Sequence, residues 1–353
     1  MTSKARVLNA FDRIKPDRVP VNYMSNPGIH AKVAKALGVR KYEKVRQAFN
    51  VDFRGINAPF KGTPHFKELP GRKVDPVYGF YTKWIGNKFG GYEDFCDFPL
   101  MDADEATIRN FHVPSPDDFD YSEVYDYCKS KKEYAMGVGD PGIGTVINTT
   151  GFVMNMENAL VNLITEDAAT IDYIRRRTDM ELGKMERLIG AAKGHVDFLW
   201  LGEDLGTQDK PLISRDLYLK VLAPIHQKFI DLAKANKLRV MIHTCGSSSW
   251  IYDDLIRMGV DAVDTLQPEA LNMSPKYLAD RFGGRLSFHG CISTAGPLSY
   301  GTADELEKQV RDTMEVMKPT YGYMLSPTHS IQDNTPVWNV IALYKFAEKY
   351  GRY

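Results

Sequence analysis

Residues 241–250 read MIHTCGSSSW, which places His243 and Cys245 two apart at the end of an apolar run. In an extended segment, residues two apart point to the same side, so an imidazole and a thiolate can converge on one ion. Zinc takes such ligands, and a catalytic zinc keeps three protein ligands and one open position. His329 is the candidate for the third ligand. Glu203 or Asp204, adjacent acids in GEDLG, is the candidate for a fourth ligand or a base. Alone, an H-x-C pair reads as a satisfied histidine beside a small buried thiol. Its company changes that reading, because all five histidines and cysteines beyond position 240 (His243, Cys245, His289, Cys291 and His329) fall where apolar runs end. One shared pocket accounts for this, with Glu203, Asp204 and His329 as catalytic candidates and Asn22, Gln208, Gln267, His289 and Cys291 as substrate-binding ones. For Cys291, packing in the tight His-Gly-Cys turn is the simplest role, ahead of ligation or nucleophilic attack.

These residues need a frame to bring them together. Short apolar runs rich in β-branched and aromatic residues occupy 18–23, 51–57, 134–139, 196–202, 238–244, 261–266, 285–290 and 322–326. Helix-like segments separate many of them. Over 165–194, Ile171, Ile174, Met180, Leu182, Met185 and Leu188 follow helical spacing, with Thr165 as a cap candidate. Residues 215–237 and 302–320 repeat the theme, with Ser214 placed to cap the first. Strands alternating with helices imply parallel strands, and eight of them favour closure into a single (β/α)8 TIM barrel, one domain over 1–353. Residues 58–133, rich in Pro, Gly, Asp and aromatics, fit this rhythm poorly. They read as an inserted excursion, a small antiparallel flap over one end of the barrel.

The barrel reading explains the polar pattern, since chemistry in this architecture collects at the carboxyl ends of strands. The first run ends at Asn22, the fourth leads into Glu203–Asp204 and the fifth into His243 and Cys245. The sixth ends at Gln267, the seventh at His289–Cys291, and the last leads to His329.

Bulk properties narrow the partners. The 353 residues carry 45 basic and 45 acidic side chains, so charge gives no reason to expect nucleic acid or an anionic membrane. No apolar run is long enough to span a bilayer, and the first 20 residues lack a signal peptide's apolar stretch. Cysteines at 96, 128, 245 and 291 show no disulfide spacing. The expectation is a cytoplasmic protein with reduced thiols.

At these same residues the chain resembles the uroporphyrinogen decarboxylase superfamily of single β/α barrels. The resemblance is carried by RVLNAFDRIKPDRVPVNY, GEDLGTQDKPLISRDLYLKVLAPIHQKFIDLAK, VMIHTCGSS and GYMLSPTHSIQDNTPVWNVIALYKFAEKYG. True decarboxylases of this superfamily resemble one another in an arginine-rich N-terminal loop and an aspartate after the second strand. Here PVNYMSNPGIH has no arginine and GINAPF no aspartate. A substrate with many carboxylates needs cationic partners, so the pattern speaks against uroporphyrinogen. The other branch looks like zinc-dependent methyltransferases that move a methyl group between small thiols or methylated compounds and a corrinoid protein. Their H-x-C matches His243 and Cys245, and His329 stands where they have a later cysteine. The resemblance thus implies zinc on His243, Cys245 and His329, and a corrinoid (methylcobalamin). Because the chain has no D-x-H-x-x-G sequence, the corrinoid is expected on a separate protein or free. The alternatives are a metal-independent decarboxylase or lyase acting on a smaller acid through Glu203, Asp204 and His329, and a non-enzymatic barrel that binds a tetrapyrrole or a partner protein.

Overall fold

Strands buried on both faces read as continuous apolar runs, and seven of the eight sequence runs become parallel strands in the computed structural model, which describes residues 1–353. The strands are β1 (Phe53–Ile56), β2 (Lys73–Val74), β3 (Tyr81–Asn87), β4 (Gly90–Cys96), β5 (Ala135–Gly139), β6 (Phe198–Gly202), β7 (Arg239–Thr244), β8 (Ala262–Thr265), β9 (Ser287–Ile292) and β10 (Tyr323–Pro327). β1 and β5 to β10 form one parallel sheet in the order β1-β5-β6-β7-β8-β9-β10. Each strand is followed in space by its successor, as helical crossovers require.

The eighth position is held by residues 18–23, which form only isolated bridges instead of the regular strand the sequence suggests. On one side the Leu325 N–H donates to the Pro20 carbonyl (2.8 Å), and the Asn22 N–H donates to Leu325 (2.9 Å). On the other side the Asp52 N–H donates to Val21 (3.0 Å). The ladder stays incomplete for two reasons. Pro20 has no N–H to give, and the Val21 N–H goes to the Asp52 carboxylate at 2.8 Å in place of a backbone carbonyl. That carboxylate also takes Arg6 Nη1 (2.6 Å) and Arg18 Nη1 (2.8 Å), so a side-chain network completes the circle.

Inside the ring, Phe53, Ala135, Phe198, Met241, Ala262 and Met324 make an apolar layer near the strands' amino ends. Val7, Ala10 and Phe11 of the helix Ser3–Phe11 plug it from below. Two residues further along, the interior positions change character to Trp200, His243, Asp264 and His289. A larger apolar layer packs the outside of the sheet against the helices.

Over 165–194 the expected helix forms as Ala168–Ala191, and Thr165 is the last residue of the preceding helix, Met156–Thr165. Asp167 caps Ala168–Ala191 by accepting from the Thr170 N–H, so Thr165 is not its cap. Ser214 caps Arg215–Leu217 as its position suggests. A π-helical turn (Tyr218–Leu222) then precedes Ala223–Ala235, with Pro224 at the junction.

The excursion contains the expected antiparallel sheet, β2-β3-β4, before its chain returns through the helices Glu105–Asn110 and Val124–Ser130. The flap leans on the helix Ile147–Met154, where Phe95 stacks on Phe152 with centroids 3.7 Å apart. Its hairpin tip reaches the loop after β10. There Lys32 Nζ donates to the carbonyls of both Phe89 and Asp333, each at 2.9 Å. A side chain at Gly90 would collide with Asp333, since an added Cβ lies 2.4 Å from its carboxylate.

Candidate metal centre at the barrel mouth

The alternation that puts Phe198 and Trp200 inside the barrel continues past β6 and brings Asp204 to the same side. On β7 it carries Met241, His243 and Cys245. As a result one ligand atom from each of Asp204, His243 and Cys245 lies within 4.8 Å of the other two. Cys245 Sγ is 3.3 Å from His243 Nε2, and Asp204 Oδ1 is 3.7 Å from the same nitrogen. Carboxylate, imidazole and thiolate are all zinc donors, and three of them leave a position free, so these residues fit the ion. Asp204 is itself steadied by the Cys245 N–H (3.0 Å) and by Asn148 Nδ2 (2.7 Å).

The rest of the interior layer supports this cluster. His243 Nδ1 lies 2.8 Å from Asp264 Oδ2 and 2.7 Å from Thr265 Oγ1. The other oxygen of Asp264 meets His289 Nδ1 at 2.5 Å, and His289 Nε2 meets Asn22 Nδ2 at 3.1 Å. Burial disfavours charge on His243, but hydrogen bonds to Asp264 and Cys245 outweigh it and hold the imidazole pKa well above its ordinary value. Burial alone would raise the Asp204 carboxyl. The adjacent His243 and the donors from Asn148 and Cys245 bring it below the usual carboxylate range instead. Burial pushes the Cys245 thiol up against the pull of His243.

Thr265 reaches His243 at a conformational cost. Its φ is 86° and that of Leu266 is 52°, in a region that a β-branched residue rarely adopts. Gly290 on the adjacent β9 makes the turn possible: an added Cβ there would stand 2.1 Å from the Thr265 carbonyl oxygen.

The other expected residues divide clearly. Asn22 and His289 join the buried network. Gln267 supports the H-x-C turn, accepting from the Gly246 N–H at 2.6 Å. Glu203 has no exposed surface, and its two oxygens accept from the N–H groups of Val146 (2.6 Å) and Ile147 (3.1 Å) at the start of the helix Ile147–Met154. It anchors that helix and stands outside the cluster. Gln208 is exposed on the turn after β6, and its carbonyl accepts from Leu271. Cys291 packs in the outer apolar core, where burial pushes its thiol far up.

His329 does not join the group of ligands. It sits two residues beyond β10 in an exposed loop, beside the Ser330 carbonyl (3.2 Å) and Gln332 Nε2 (3.3 Å). It does line the same cavity of about 150 Å³ as His243, Asp264 and Thr265, with Met24, Pro141 and Pro327 as apolar walls. Asp204 is the third donor grouped with His243 and Cys245.

Asp264, Thr265 and Asn148 carry no motif, and the sequence reading passed over them. Asp264 has one readable signal, an acid on the same strand face as Ala262 inside an apolar run, which must find a partner when buried.

A family model described as uroporphyrinogen decarboxylase (URO-D) matches residues 155–350, more than half of the chain. Among solved structures, a methyltransferase from Methanosarcina mazei superposes with a TM-score of 0.66 at 16% identity, covering 99% of each chain. No curated protein matches the chain. No helix is long and apolar enough to cross a membrane.

Proposed function

Since the chain belongs to the uroporphyrinogen decarboxylase (URO-D) family, we propose that it works in that fold as a methyltransferase, passing a methyl group between a small methylated substrate or thiol and a corrinoid. The observation that carries this reading is the convergence of Asp204, His243 and Cys245, where His243 lines a cavity of about 150 Å³ that no lysine or arginine lines. A polycarboxylate would find neither room nor a cationic partner there. The solved methyltransferase of the same fold supports the reading. The decarboxylase alternative loses one of its three groups, because Glu203 is committed to a helix start.

Asp204, His243 and Cys245 would hold zinc, which when bound supplies a Lewis acid that activates a thiol or hydroxyl or polarises a leaving atom. The protein's own contribution is positional. Cys245 and Asp204 approach from two strand ends and leave one side of the cluster facing the cavity. Met24, Pro141 and Pro327 give that cavity its apolar walls. His329, on the rim, is placed to hold or move a proton on the substrate's heteroatom. A corrinoid, on a separate protein or free, would supply the second methyl station and would dock at the mouth under the flap.

Purified protein should carry one zinc per chain and exchange methyl groups with methylcobalamin, followed by the corrinoid's visible spectrum. His243→Ala should lose both. Full activity in metal-free protein would sink this reading.

A further inference from the structure

The carboxylate of Asp264 meets two imidazoles, and hydrogen-bond direction then fixes both rings. An ionised carboxylate only accepts. His243 Nδ1, 2.8 Å from Oδ2, must therefore carry its hydrogen, which leaves Nε2, the nitrogen facing Cys245 and Asp204, as the one to release its proton on ligation. His289 Nδ1, 2.5 Å from Oδ1, must carry one too, leaving Nε2 to accept from Asn22 Nδ2 at 3.1 Å. The far end is equally settled: Asn22 Oδ1 accepts from the Tyr23 N–H (2.8 Å), which leaves its amide nitrogen for His289. Phe53 and Trp200 pack edge-on against the His289 ring, with centroids at 5.3 and 5.6 Å, so the ring cannot swing away. Asn22, His289 and Asp264 are buried, Asp264 with 2% exposed, and His243 is half-buried. The chain Asn22–His289–Asp264–His243 therefore crosses the barrel interior with donation converging on Asp264 from both sides.

We propose that Asp264 is a positioning residue, a carboxylate that fixes the tautomer and tilt of His243 for ligation through Nε2, and that His289 locks Asp264 in place. The proposal rests on the metal reading given above for what the ring is positioned to do. The orientation of the ring itself stands on hydrogen-bond geometry alone. Partners behind a metal-bound histidine typically account for about 10- to 100-fold in metal affinity.

Zinc affinity, measured by competition with a coloured chelator, and the ¹⁵N signals of the His243 ring in histidine-labelled protein separate the possibilities. Asp264→Asn keeps the shape of the side chain but offers an N–H to one ring where both need an acceptor. It should weaken zinc by about 10- to 100-fold and move the His243 ring signals away from the Nδ1–H pattern. If Asp264→Asn fails to fold, His289→Gln tests the lock alone and should give the same changes, smaller in size. A folded variant with wild-type zinc affinity and unmoved ring signals overturns the proposal and leaves the metal reading standing. Wild-type protein that takes up no zinc, with ring signals that still move in the variant, overturns the metal reading and supports the positioning role.

Discussion

Glu203 and Asp204 are neighbours in the chain with opposite duties, and the difference lies in which side of the strand each faces. Glu203 turns outward to the N–H groups of Val146 and Ile147, where a helix start favours a negative charge. Asp204 turns inward, to the His243 imidazole and the Cys245 N–H. Conservative amides should separate them. Glu203→Gln puts an N–H against donors that need an acceptor, and should cost about 1–3 kcal/mol of stability in urea unfolding. The folded fraction should still bind zinc. Asp204→Asn also faces two donors but at a partly exposed side chain, so it should lower the unfolding midpoint less than Glu203→Gln while weakening zinc in the same chelator assay. His329, a further residue on the rim, stays out of this contrast because its loop holds it away from the cluster.

At the scale of elements, the loops after β6 and β7 must keep a fixed spacing, since each supplies part of the site. Arg215, at the start of the helix after the β6 loop, clamps Asp254 on the helix Tyr252–Met258 through Nε (2.8 Å) and Nη2 (2.7 Å). The Arg215 hydrogen bond holds the Asp254 carboxyl below its usual range, with burial opposing and Arg257 adding to the effect. Because the folded pKa is the lower one, this stability is complete above the unfolded carboxyl pKa of about 4. It disappears as pH falls through the folded value. Wild-type protein should thus lose stability below about pH 4, and Asp254→Asn should show a flatter profile over the same window in urea titrations at stepped pH. The flap is held differently, by Phe80 and Phe95 against Phe152 and by Lys32 bridging two carbonyls at its exposed tip.

For the molecule as a whole, closure of the barrel depends on Asp52, which stands where a strand ladder would otherwise run. It is fully buried and holds Arg6, Arg18 and the Val21 N–H. Removing one partner of a buried ion pair typically costs about 3–5 kcal/mol, and Asp52→Ala should lower the unfolding free energy by that order in chemical denaturation. Most of this frame was legible beforehand, because strands covered on both faces must be apolar runs and the chain has eight. The closing segment was misread in one respect, since Pro20 and a carboxylate replace the ladder there. Within the site, strict alternation made His243 and Cys245 readable together. It also marks Asp204 over Glu203 once Phe198 and Trp200 are known to point inward, which the sequence does not reveal. His329 lies in an irregular loop where no alternation applies, so its place outside the Asp204–His243–Cys245 group could not be read. Thr265 was invisible because its role comes from an unusual backbone angle that a neighbouring strand permits. Related sequences should bear the mark of that dependence. A chain with any side chain at the position of Gly290 must abandon the turn at Thr265, and with it the hydroxyl beside the imidazole. The two positions should therefore vary together, as a correlated pair across the lineage, even though one of them touches nothing in the pocket.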